Sequence, residues 1–243
     1  MSALIFAHRG ASGVAPENTL EAFDLAVRMG AHGVELDVHC CRTGELVVAH
    51  DETVDRVSDG TGAIRNLSLK ELKSLCFNRI HPEYRNARIP LLSEVFRLLQ
   101  PTGLSVNIEL KNSMVDYPDL ERKVLEEVAR SFDPKRVLFS SFNHQSMLRM
   151  KQLDPSVPCG LLYDAVLIRP WEYAKKLGMD AIHPHFSEVL LTPGGCAEAH
   201  AAGIRVNPWT VNTPETMDAV LREGADILIT NFPDQALNRA TLG

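Results

Sequence analysis

The chain predicts an α/β fold: a (β/α)8 barrel of eight parallel strands ringed by helices, with a hairpin excursion and a small insertion after the second barrel strand. Three observations carry that prediction. Short β-rich runs alternate with helical patterns along the whole length, as in a parallel sheet covered by helices. The 243 residues, 45% of them hydrophobic, match one barrel-sized core, and no Ser/Gly/Pro-rich linker divides them, so 1–243 reads as one domain. Polar residues recur where strands end, which is where a barrel places its working groups.

The first strand runs from Leu4 to His8 and ends in His8-Arg9-Gly10. Thr19 opens a helix that reaches Met29. The second strand, Gly33 to Val38, alternates so that Glu35 and Asp37 share one face. Leu46 to His50 cannot be the third barrel strand. Only seven residues separate it from Val38, and a parallel crossover needs about a dozen, so it reads as the return arm of a hairpin turning at Thr43-Gly44. Residues 51–100, with a Gly60-Thr61-Gly62 turn and two helical pieces, read as an insertion over the strand ends. Leu104–Leu110, Val137–Ser141, Cys159–Leu162, Ala181–His183, Ile204–Trp209 and Asp226–Thr230 complete the eight strands. Helices fall at Leu120–Ser131, Gln145–Leu153 and Pro214–Glu223, the last with Pro214 at its first position behind Thr213 and Gly224 closing it.

Composition narrows the partners. With 25 basic against 31 acidic residues and no basic stripe, neither a nucleic-acid groove nor an anionic membrane surface is indicated. A small anionic substrate would need locally concentrated positive charge. The five cysteines (Cys40, Cys41, Cys76, Cys159, Cys196) form no C-x-x-C pair and read as inert thiols. Ala3 to Ala7 is too short for a signal peptide, and no run approaches a membrane span, so the expected location is the cytoplasm.

The chemistry concentrates early. His8 and His50 are candidates for proton transfer near neutral pH. Arg9 is placed to fork onto a phosphate or to bridge to Glu35, with Gly10 letting the backbone approach closely. Glu109 and Lys111 share a strand face in Ile108-Glu109-Leu110-Lys111, and Glu109 adds a third carboxylate to Glu35 and Asp37. Three carboxylates without His or Cys partners favour a hard divalent cation, Ca²⁺ or Mg²⁺. Lys111 could neutralise a phosphate oxygen. Trp209, at a strand end, reads equally as a stacking wall for substrate and as core packing. His183 and His185 share a strand face and read as satisfied strand-end histidines. No exposed apolar segment suited to an acyl chain stands out.

Taken together, His8-Arg9-Gly10, Pro16-Glu17-Asn18-Thr19, Glu35-Leu36-Asp37-Val38, Leu46-Val47-Val48-Ala49-His50-Asp51 and Ile108-Glu109-Leu110-Lys111 resemble the glycerophosphodiester phosphodiesterases. Echoes follow at Ser141-Phe142, Trp209-Thr210-Val211-Asn212 and Thr230-Asn231-Phe232-Pro233. The resemblance implies a distorted TIM barrel, one divalent cation on Glu35, Asp37 and Glu109, and His8 with His50 as the acid/base pair. It implies hydrolysis of glycerophosphodiesters to glycerol 3-phosphate and an alcohol, with lysophospholipase D-like or cyclising phospholipase C-like action as the alternatives. Three segments depart from the family pattern: Cys41-Arg42-Thr43-Gly44-Glu45 at the hairpin turn, Ser74-Leu75-Cys76-Phe77-Asn78 in the insertion, and Thr230-Asn231 before Pro233. His50, on the hairpin arm, is expected to be more adjustable than His8.

Overall fold

A computed structural model describes residues 3–240. Strands β1 (Leu4–His8), β2 (Gly33–Cys40), β4 (Ser105–Leu110), β5 (Val137–Ser141), β6 (Cys159–Tyr163), β7 (Ala181–Pro184), β8 (Arg205–Val206) and β9 (Ile227–Thr230) form one parallel sheet in the order β8-β7-β6-β5-β4-β2-β1-β9. The sheet curls until its two ends meet. Asp226 N–H donates to Val206 O at 2.9 Å, Ile229 N–H to Pro208 O at 3.1 Å and Val211 N–H to Ile229 O at 2.9 Å, which joins β8 to β9. The eighth strand is shorter than the expected 204–209. Its continuation still bonds to β7 through Asn207 N–H to Ile182 O and Trp209 N–H to Pro184 O, so the ladder is irregular there rather than missing.

The expected hairpin is present. β3 (Leu46–Val48) pairs antiparallel with β2, Val38 opposite Val48, and Gly44 adopts φ +97° in the turn. The stretch 51–100 divides into two parts of different allegiance. Helix α2 (Leu69–Ser74) and its surroundings bury Val54, Ile64, Leu72, Phe77 and Ile89 in a small cluster of their own beside β3. Helix α3 (Leu92–Leu99) instead presents Leu92, Val95, Phe96 and Leu99 to the main core, so it is the barrel's own second helix. Its apolar positions repeat at three and four residues, and each large side chain buried this way is worth about 1.5–3 kcal/mol.

The other helices are α1 (Leu20–Met29), α4 (Leu120–Ser131), α5 (His144–Leu153), α6 (Pro170–Lys176), α7 (Phe186–Leu191), α8 (Gly195–Ala201), α9 (Pro214–Glu223) and α10 (Pro233–Ala240). Local chemistry sets several of their ends. Thr19 Oγ1 caps α1 by accepting from Ala22 N–H at 3.3 Å, and Gly30 closes it in the left-handed region. Thr213 caps α9, with Pro214 in its first turn and Gly224 at its end.

Strand register decides what faces the barrel axis. Glu35 lies beside Asn107, Asp37 beside Glu109, Glu109 beside Ser140, Ser140 beside Gly160 and Leu162 beside His183. The alternate residues Val34, Leu36, Val38, Val106, Ile108 and Leu110 point outward into the helical layer and are fully buried there. Gly160 is required by its neighbour, since a Cβ there would lie 2.3 Å from His183 Nε2.

Candidate functional site

The site is assembled from turns that leave strands at the carboxyl end of the barrel. After β1 the backbone breaks sharply: Arg9 and Asn18 hold left-handed conformations at φ +56°, and Gly10 follows Arg9 at φ +79°. A Cβ on Gly10 would meet the Ala22 backbone at 2.6 Å, so only glycine lets this turn pack onto α1. Left-handed non-glycine residues cost about 1–3 kcal/mol each and persist where neighbours over-determine them. Here Arg9 N–H donates to Glu35 Oε2 at 3.0 Å, Asn18 N–H donates to Arg9 O at 2.9 Å, and Asn18 Nδ2 donates to Asp37 Oδ2 at 2.8 Å.

Glu35, Asp37 and Glu109 converge as the spacing in β2 and β4 suggested. One carboxylate oxygen from each lies within 4.8 Å of the others, and all three residues are buried. Burial, followed by repulsion from Asp37 and Glu109, pushes the Glu35 carboxyl well above its ordinary range; burial and Asp37 push Glu109 upward. Burial would raise Asp37 as well, but Arg9, then Lys111, hold it well below the usual carboxylate range. Asp37 Oδ1 is buried without a hydrogen-bond partner. An oxygen-only trio that cannot fully ionise on its own, with one orphaned carboxylate oxygen, is a donor set that fits a hard divalent cation.

Fixed cations flank the trio. Arg9 Nη1 donates to Glu17 Oε1 at 2.9 Å, and its Nε lies 3.4 Å from Asp37 Oδ2. Of the two expected placements for Arg9, the bridge to Glu35 is made by its backbone N–H, while its guanidinium pairs with Glu17 and Asp37 at the pocket wall. Lys111 Nζ donates to Glu109 Oε1 at 2.8 Å and lies 3.8 Å from Asp37 Oδ1.

Each histidine is oriented by an oxygen on its Nδ1 side. His8 Nδ1 is 2.6 Å from Asn231 Oδ1, so Nδ1–H donates there and Nε2, 3.9 Å from Glu35 Oε2, keeps its lone pair. Burial and the Arg9 charge lower the His8 pKa to about 3. His50 Nδ1 is 2.6 Å from Asp51 Oδ1, and Arg56 ties Asp51 to Glu17 with bonds of 2.7 and 2.8 Å. These bonds tie the arm carrying His50 to the turn before α1. Buried His39 accepts from Tyr117 OH on Nδ1 at 2.8 Å and donates from Nε2 to the His50 carbonyl at 3.1 Å.

A single pocket is lined by His8, Arg9, Glu35, His50 and Glu109 on one side and by Asn107, Ser140, Phe142, Leu162, Trp209 and Ile229 on the other. Trp209 meets Phe142 edge to face at 5.4 Å and donates from Nε1 to His183 O at 2.8 Å, so it both packs and faces the pocket. His183 is fully buried; Nε2 pairs with Asn207 Nδ2 at 2.9 Å, but Nδ1 has no partner, so it is only half satisfied. The expectation that no apolar segment is exposed does not hold. Val166, Leu167 and Ile168, on the loop after β6, are 60%, 41% and 96% exposed at this end of the barrel. Sequence reading did not place Glu17, Asn18, Asp51, Arg56 or Asn231 in the site. All but Arg56 lie in the motif segments quoted above, which gave them a place but no role.

The sequence matches the glycerophosphoryl diester phosphodiesterase family over residues 8–235, which takes in every one of these groups. The chain belongs to that family. It is 38% identical to a glycerophosphodiester phosphodiesterase of Caldanaerobacter subterraneus over the full length of both chains, and 37% identical to one of Bacillus altitudinis over 96% of each. Its fold superposes on an Oleispira antarctica phosphodiesterase, solved with the product sn-glycerol-3-phosphate, with a TM-score of 0.91 and 29% identity over 100% of this chain and 98% of that one. The activity that goes with family membership is phosphodiester hydrolysis. No helix among the described residues is long and apolar enough to cross a membrane.

Proposed function

We propose that this phosphodiesterase hydrolyses glycerophosphodiesters to sn-glycerol 3-phosphate and an alcohol, with His8 as general base and His50 as general acid beside a divalent cation held by Glu35, Asp37 and Glu109. The observation that carries the reading is the unequal setting of the two histidines in one pocket. Burial keeps His8 neutral and the Asn231 carbonyl fixes its tautomer, leaving Nε2 to take a proton. His50 instead has a carboxylate partner, with Nδ1 2.6 Å from Asp51 Oδ1, which orients its ring with Nε2 free to give a proton. His8 would take the proton of the attacking glycerol 2-hydroxyl, and His50 would protonate the departing alkoxide; the roles then reverse as water opens the cyclic phosphate. The cation, Ca²⁺ or Mg²⁺, supplies Lewis acidity toward the phosphoryl oxygens. Lys111 and Arg9 hold Asp37 ionised and place positive charge at the pocket wall. Trp209 and Phe142 form the apolar wall opposite, suited to the alcohol portion. The five free thiols suit a reducing compartment, and the reading places the enzyme in the cytoplasm.

A second reading is favoured by the exposed Val166-Leu167-Ile168 loop. It would accommodate an acyl chain on the substrate and give lysophospholipase D-like action. One assay separates these. Glycerol 3-phosphate release from glycerophosphocholine and glycerophosphoethanolamine is measured beside choline release from lysophosphatidylcholine, with and without EDTA, Ca²⁺ and Mg²⁺. The main reading expects metal-dependent release from the short diesters. Release only from the acylated substrate would replace it with the second reading, and accumulation of the cyclic phosphate would indicate a phospholipase C-like stop.

A further inference from the structure

A second convergence of ligating groups lies next to Trp209. Asp164 follows β6, His185 follows β7 and Glu188 sits in α7, and one ligand atom from each lies within 4.8 Å of the other two. Backbone bonds hold the three elements together: His185 N–H donates to Tyr163 O at 3.1 Å, and Glu188 N–H donates to His185 O at 3.0 Å. The His185 ring stands 5.4 Å from Trp209, edge to face.

Proximity alone would mean little, but Glu188 adds an independent observation. It is 8% exposed, and its Oε2 is buried with no hydrogen-bond partner. An ionised carboxylate oxygen taken out of water without a donor is costly and calls for a cation. No lysine or arginine pairs with Glu188 among the described ion pairs. Its other oxygen accepts from Ser187 Oγ at 3.3 Å, and Ser187 Oγ lies 2.7 Å from His185 Nδ1. A relay from His185 Nδ1–H through the Ser187 hydroxyl to Glu188 leaves His185 Nε2 as a lone pair and Glu188 Oε2 open. A hydrogen-bonded second nitrogen of this kind orients metal-ligating histidines.

We infer that Asp164, His185 and Glu188 form a second cation site, distinct from the Glu35, Asp37 and Glu109 trio, that takes a borderline divalent metal such as Zn²⁺ or Mn²⁺. One imidazole with two carboxylates suits such ions, whereas the oxygen-only trio suits Ca²⁺ or Mg²⁺. An organic ammonium would accept the same charge, yet it offers no bond to the imidazole lone pair comparable to a metal–nitrogen bond. Asp164 is exposed, so the site opens to solvent, and a bound ion would tie the loop bearing Val166, Leu167 and Ile168 to α7.

The test uses the intact enzyme with its oxygen-only site saturated by Ca²⁺. Zn²⁺ is titrated by calorimetry and Co²⁺ by its visible absorption, which reports nitrogen ligation. One equivalent is expected for the unsubstituted enzyme, with affinity at least about tenfold weaker in H185A and in the near-isosteric E188Q. E188Q keeps the test open where H185A does not fold. Absence of a Ca²⁺-insensitive equivalent, or binding unchanged in a folded variant, would overturn the site.

Discussion

Strands β1, β2 and β4 line the barrel with charge, through Glu35, Asp37, Glu109 and the adjoining Arg9 and Lys111, whereas β5 to β9 line it with Ser140, Gly160, Leu162, His183 and Ile229. Both halves bury polar atoms, yet they do so on different terms. In the first half nearly every buried charge has an opposite charge within 4 Å, so removing one member strands another. In the second half the groups on the strands that face the barrel axis are neutral and partly unpaired, as at His183 Nδ1, Asn107 Oδ1 on its border and Asn207 Oδ1. Chemistry is thus confined to one wall of the pocket and shape to the other.

Substitutions can break this division, and the largest effect belongs to the charged wall. Asp37→Asn removes the one carboxylate that Arg9, Lys111 and Asn18 hold ionised. Turnover is expected to fall to the background seen with chelator, and added Ca²⁺ or Mg²⁺ should not restore it. Retained, metal-responsive activity would show that the trio is not the ion's site. Next come His8→Ala and His50→Ala, each expected to lower kcat by about 10²- to 10⁴-fold in a folded protein. Near-normal turnover in either, checked beside an unchanged far-UV spectrum, would remove that histidine from the reaction.

The neutral wall should respond more mildly. Trp209→Ala is expected to raise KM for glycerophosphocholine by about tenfold, with kcat changed far less, as suits a wall that binds without reacting. An equal fall in kcat at unchanged KM would move Trp209 to the chemical side. The smallest effect concerns stability. Burial lowers the His183 pKa from 6.5 to about 3, so between those values the unfolded chain takes a proton that the folded chain refuses. Stability contributed by neutral His183 is present above about pH 6.5 and is lost as pH falls toward 3. His183→Gln should flatten the decline of the thermal midpoint across that window, and an unaltered slope would mean that His183 is not held neutral by the fold.

The sequence revealed the charged wall more readily than the neutral one, for a physical reason. Glu35 with Asp37, and Glu109 with Lys111, are spaced by two on strands whose other residues are apolar, and a period of two announces a shared face. Barrel strands were readable in the same way, and the hairpin followed from a connection too short for a parallel crossover. The groups that orient the histidines leave no such trace. Asn231 reaches His8 across 223 positions, and Glu17, in the turn before α1, meets Arg56 of the insertion across 39. Helix α3 was folded into the insertion because its periodicity shows an apolar face but not which core that face will find. The exposed run Val166-Leu167-Ile168 carries no mark of its exposure in the sequence, since burial is a property of neighbours rather than of residues.

The ion-pair chain from His50 through Asp51, Arg56, Glu17 and Arg9 to Asp37 has a consequence for charge balance. Five carboxylates, Glu17, Glu35, Asp37, Asp51 and Glu109, stand against three fixed cations, Arg9, Arg56 and Lys111. The excess is two negative charges, which one divalent ion cancels. Beyond that balance the proton that His50 carries as general acid adds a single positive charge, so in a protein of net charge −6 a phosphodiester monoanion is captured by directed bonds at short range instead of long-range attraction. The dianionic monoester formed by the reaction exceeds that single positive charge, which favours its escape.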